Sequence, residues 1–188
     1  MIAAAGALAF GVGMSVLKGN GSGIRDAIGN LSAPWLLLAF IAGAWAGGRR
    51  IGRAAVLGAL STLLALGGFY VANAFVLRLG PHPWYVDLRL AFGDGYYFKF
   101  GLFSGPVFGA LGGLWRRRRW TALGVLVAAL LVLEPLAWLA VRGDPASYAV
   151  DPGVWAGEAA VGIGACVLVA TAARRRRRPP RSPGENAG

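Results

Sequence analysis

The chain has 188 residues, is 56% hydrophobic and only 14% charged, and carries a formal net charge of +11. A soluble domain of this length is about 45–50% apolar and about 25% charged, so the composition argues against a water-soluble globule. The positive charge is not laid out as a nucleic-acid-binding face, because its arginines bunch at the ends of apolar runs of roughly 17–24 residues, where topology-setting charges sit.

A helix needs about 20 apolar residues to cross a hydrocarbon core at 1.5 Å per residue. The runs predict six spans, at 1–17, 32–48, 54–77, 96–115, 121–141 and 154–173. The first has no basic segment before it and reads as a retained span, not a cleaved signal. Residues 19–23 form a Gly/Ser/Asn linker. Ile24, Ile28 and Leu31 then share one face of a short interfacial helix. Spans two and three are joined by Arg49, Arg50 and Arg53. The connection at 80–94 holds Pro81, Pro83, Trp84 and Tyr85, an aromatic anchor set at headgroup depth. Spans four and five are joined by Arg116, Arg117, Arg118 and Arg119. Span six ends in Arg174, Arg175, Arg176, Arg177 and Arg178, opening a basic tail over 174–188 that is expected to be disordered.

With six spans, all three arginine clusters fall on one side, which the positive-inside bias makes cytoplasmic. The expected fold is therefore an all-α polytopic bundle in a bacterial plasma membrane, with both termini in the cytoplasm. Arg116–119 and Arg174–178 are expected to meet anionic lipid headgroups. Nucleic acid is not an expected partner.

Small residues recur at helical spacing. Span four places Gly101, Gly105, Gly109 and Gly113 on one face, and span one does the same with Ala5, Ala9 and Gly13, beside Ala3, Ala7 and Gly11. Such faces let backbones approach closely. They serve packing within the bundle or, for span one, docking to a partner membrane protein.

Ionisable groups at membrane depth are costly and mark functional candidates. Glu134 lies about 10 Å below the outer end of span five, and Pro135 after it frees the carbonyl of Leu131, placing a carboxylate beside a helix break. Glu158 and Lys99 each lie about one turn inside their spans, and Tyr70, Asn73 and Trp138 share the outer half. The candidate ligand-binding set is thus Glu134, Glu158, Lys99, Asn73, Tyr70 and Trp138, with Lys99 able to neutralise one carboxylate.

Enzymatic motifs are missing. The only lysines are Lys18 and Lys99, so no phosphate-binding Gly-Lys-Ser/Thr loop exists. His82 is the sole histidine and Cys166 the sole cysteine, which removes the usual metal sets and leaves Ser104-Gly105 without a base in span six. No catalytic residue, metal or cofactor is expected. The expected role is a binding or transport subunit with an outward-facing polar site, or else a structural or accessory membrane protein.

Asn30-Leu31-Ser32-Ala33-Pro34-Trp35, leading into Ala39-Phe40-Ile41-Ala42-Gly43, resembles the second-span signature of a family of uncharacterised six-helix actinobacterial membrane proteins. The small-residue first span and the third span with Tyr70 are similar to that family too. This resemblance implies topology and no activity. A more distant likeness is to the substrate-binding subunits of energy-coupling-factor transporters. Those use an Ala-x-x-x-Ala face on the first span to meet a coupling subunit, the place Ala5 and Ala9 hold here, and bind substrate under the external connection between spans one and two.

Overall fold

The structure is a computed structural model that describes residues 2–18, 24–29, 31–46, 50–77, 85, 96–118, 121–142 and 152–177. Every secondary-structure element among those residues is a helix. The long helices are α1 (Ile2–Lys18), α3 (Ala33–Trp45), α4 (Ile51–Val71), α5 (Tyr96–Arg118), α6 (Thr121–Arg142) and α7 (Pro152–Arg177), with a short α2 at Ile24–Gly29. A π-helical segment, Ala72–Leu77, continues α4. Ile51–Phe75 and Gly153–Thr171 are long and apolar enough to cross a membrane.

Glycine sets the central packing. Along the α4–α5 contact, Gly113 lies against Ala54, Gly109 against Gly58, Gly105 against Thr62 and Gly101 against Leu66. The steps of four on both helices, in opposite order, make them antiparallel. A side chain at Gly109 would put its Cβ 2.5 Å from the Ala54 carbonyl oxygen and 2.8 Å from the Gly58 Cα. On its other flank, a Cβ at Gly43 of α3 would lie 2.7 Å from the Gly109 Cα. Three backbones therefore meet at one level, an approach only glycine permits.

α1 packs along α4, and the two run in the same direction. Gly11 abuts the Ala65 backbone. Further along both helices, the fully buried Ser15 donates its hydroxyl to the Asn73 Oδ1 at 2.7 Å. The packed stripe of α1 is thus Ala7, Gly11, Met14 and Ser15, whereas Ala5, Ala9 and Gly13 are exposed. Those three residues do not pack within the bundle, and a Cβ at Gly13 would meet nothing within 4 Å.

α6 and α7 form an antiparallel hairpin. Gly124 meets Val169, the Cys166 thiol lies 3.6 Å from the Val125 carbonyl, and Gly162 fits against Ala128, Leu131 and Val132. Gly124 also sits against the Trp115 indole at the end of α5, which fixes the direction of the hairpin. The ends of α5 and α7 and the start of α4 consequently share one end of the bundle, with Arg50, Arg53, Arg116, Arg117 and Arg118 exposed there.

Two local expectations are corrected. α6 runs unbroken through Pro135 to Arg142, since a proline costs one N–H without obliging the backbone to leave the helix. α7 continues through Arg174 to Arg177, so these arginines belong to the helix and not to a disordered tail. The remaining tail, the anchors Pro81, Pro83 and Trp84, and His82 lie outside the described residues.

Candidate functional site

The sequence that opens α3 poses an accounting problem. The first N–H groups of any helix lack partners within it. Ser32 stands at the cap position, yet its side chain makes no capping bond. Pro34 has no N–H to satisfy. The Trp35 N–H closes on the Ser32 carbonyl at 3.1 Å. Two donors remain, the amides of Ser32 and Ala33, and both reach Glu134. Ser32 donates to Oε1 and Ala33 to Oε2, each at 2.7 Å. One carboxylate, 102 residues away from Ser32, thus caps α3 in bidentate fashion. The negative charge also faces the positive end of the helix dipole.

The α6–α7 register carries Glu158 to the same level. Counting one turn from the Leu131–Gly162 contact toward the end where the chain joins α6 to α7 brings Glu134 and Glu158 together, and Glu134 is the acidic neighbour of Glu158. Glu158 is 6% exposed. Neither of its carboxylate oxygens has a hydrogen-bond partner. A buried carboxylate in that condition is costly, which sets it apart from every other described polar side chain at this end.

The other candidates separate from this pair. Lys99 is exposed; with both Glu158 oxygens unpartnered, it does not neutralise that carboxylate. Glu134 is held by the amides of Ser32 and Ala33. Asn73 is taken by Ser15. Tyr70 stacks on Phe98, with ring centroids 5.6 Å apart, and meets Phe69 edge-on at 5.4 Å. The Trp138 side chain lies outside the described residues. The expected single set therefore divides into a carboxylate pair on the α3–α6–α7 side and an aromatic and amide group on the α1–α4–α5 side.

Sequence reasoning missed Trp35, which joins these sides. It contacts Phe10 at 5.4 Å and Phe69 at 5.7 Å, both edge-on. Such pairs contribute about 0.5–1.5 kcal/mol each beyond area burial. Lys18 places its ammonium 6.0 Å from the Phe69 centroid. Arg25 was missed as well. Its guanidinium donates to the carbonyls of Val16 at 2.7 Å and Leu17 at 3.1 Å, capping the last turn of α1 with a cation at the negative end of its dipole. The signal available was Arg25 standing just beyond a helix end.

These features define an all-helical protein whose described polar groups largely serve to hold helix ends and helix pairs. Residues 1–181 match the family of unknown function DUF6518, and the chain belongs to that family. No curated protein and no solved structure matches it, and no transporter likeness is shown.

Proposed function

We propose that the protein is an integral membrane protein of a bacterial plasma membrane, with α1, α3, α4, α5, α6 and α7 as six spans and both termini cytoplasmic. In this reading it is a binding or transport subunit, not an enzyme, and its site is the Glu134–Glu158 pair at the outer end. The observation that carries the reading is the outer surface. Leu8, Val12, Ile41, Val56, Leu60, Leu102, Phe103, Leu126, Val161 and Leu168 are all exposed, so every long helix turns large apolar side chains outward. In water such a surface associates; in a bilayer it is the matching one. A buried core helix would also be apolar, but of the most apolar 18-residue stretch only 44% is buried within Ile51–Phe75 and 11% within Gly153–Thr171.

The length of α3 supports the same reading. Its 13 residues span about 20 Å, short of a hydrocarbon core of about 30 Å. Its first turn then starts below the outer surface, where water cannot serve its amides, and Glu134 serves them instead. The arginine end would face anionic headgroups.

Cysteine accessibility tests the topology, since Cys166→Ala gives a cysteine-free background. A membrane-impermeant maleimide should label Ser22→Cys and Ser147→Cys on intact cells. It should label Arg117→Cys and Ser182→Cys only after permeabilisation. Labelling of Arg117→Cys and Ser182→Cys from opposite sides would exclude six spans.

A second reading, an accessory protein docked to another membrane protein, is favoured by the exposed Ala5–Ala9–Gly13 stripe of α1. Ala9→Leu should abolish a crosslinked partner complex while leaving the melting temperature unchanged. A complex that survives Ala9→Leu removes this face from consideration.

A further inference from the structure

Glu158 is the described polar group that the fold leaves unserved. It occupies the packed face of α7, one turn before Gly162, and both are buried. Its two oxygens are out of contact with solvent and receive no donor. What faces them is a second carboxylate, Glu134. That carboxylate cannot move away, because Ser32 and Ala33 hold both its oxygens at 2.7 Å. Each of those oxygens accepts one N–H and keeps a second lone pair. Four acceptor oxygens therefore converge with two donors among them, and both donors are spent on Glu134.

Neither Lys99 of α5 nor Arg25 of α2 is placed to balance the pair. Lys99 of α5 is exposed. Arg25 of α2, a helix that packs against α7, has its guanidinium on the carbonyls of α1. From α3 the pair meets backbone amides. The side chains of Asp26 and Arg142 lie outside the described residues. Two adjacent carboxylates repel at close range, and more strongly in a medium of low dielectric.

We propose that Glu134 and Glu158 form a binding site for one monovalent cation, held between the two carboxylates and supplied from outside the chain. This rests on the membrane reading above and gives its outer site a ligand class. A proton and an alkali metal ion offer the same charge. A proton would turn the close carboxyl pair into a hydrogen bond, with one group donating and the other accepting. A sodium or potassium ion would take its oxygens from both groups. In either form the bound charge fastens α7 to α6 and, through Glu134, to the start of α3.

The test uses the full-length protein in detergent and reads its melting temperature. In one arm the pH is fixed and N-methylglucamine is exchanged for sodium or potassium. In the other the salt is fixed and the pH is lowered. A cation at about 100 times its dissociation constant should raise the melting temperature by roughly 5–11 °C. A response in the first arm assigns an alkali metal ion. A response in the second alone, with a protonated-carboxyl band in the infrared spectrum, assigns a proton. Glu158→Gln, neutral and nearly isosteric, should abolish the response and the band. Should that variant not fold, the wild-type arms and the infrared band still decide. A wild type indifferent in both arms overturns the proposal, as does a Glu158→Gln protein that keeps the response. Cysteine labelling that upholds six spans while both arms stay flat would remove the cation site and leave the membrane reading standing.

Discussion

Gly109→Ala should destabilise the protein by about 3 kcal/mol, and Gly109→Val by more. The added Cβ would stand 2.5 Å from the Ala54 carbonyl oxygen and 2.8 Å from the Gly58 Cα, with the Gly58 nitrogen at 3.1 Å. All three are backbone atoms, so no rotamer change relieves the contact. α4 cannot retreat without opening its glycine seam with α5, and α5 cannot retreat toward α3, where Gly43 already closes on it. The expected reading is a melting temperature lower by roughly 6–12 °C in detergent. Gly67→Ala and Gly164→Ala are the controls, because a Cβ at either position meets nothing within 4 Å. They should be neutral or slightly stabilising, since alanine is the better helix former. If Gly109→Ala melts with these controls, the three-backbone crossing is not what holds the centre together.

The α5 seam was legible because four glycines at a strict spacing of four leave one choice of face. The α1 face was not legible in the same way. Ala3, Ala4, Ala5, Gly6, Ala7, Ala9, Gly11 and Gly13 supply small residues at nearly every phase, so spacing alone cannot choose between the Ala5 and Ala7 stripes. Ser15 was the clue. A polar group inside an apolar helix needs a partner, and Ser15 lies one turn beyond Gly11 on the stripe that packs.

The carboxylates show a different limit. Their depth could be counted along the sequence, but the partners of Glu134 are backbone amides, which every residue but proline carries and no pattern reveals. The sequence did hold half the answer: Ser32-Ala33-Pro34 announces a helix start with two amides to satisfy. What joins Glu158 to Glu134 is the register set by Gly124 and Gly162, and neither glycine carries charge. Lys99 misled because opposite charges at similar depth are not thereby adjacent.

Glu134→Leu should then cost about 2–4 kcal/mol. It keeps much of the side-chain volume but withdraws the acceptor from two amides at once. A hydrogen bond to a charged group contributes roughly 1.5–3 kcal/mol, and leaving the buried Ala33 donor unserved adds a penalty of similar size. Part of that is recovered if Ser32, which is exposed, finds another acceptor. Glu134→Gln should fall between, because its single carbonyl oxygen can accept from one amide while its NH2 group faces the other. The local reading is hydrogen exchange: the amides of Ser32 and Ala33 should lose protection in both variants, before any loss in α4 or α5. Glu158→Gln should leave those amides protected, because Glu158 touches neither of them. Combining Glu134→Gln with Glu158→Gln separates the two roles. If Glu158 matters only through its partner, the double variant should be no less stable than Glu134→Gln alone, giving a coupling energy of about 0.5–3 kcal/mol. Strict additivity would mean that the carboxylates do not act as a pair. Unchanged exchange at Ser32 and Ala33 in Glu134→Leu would mean that Glu134 does not cap α3.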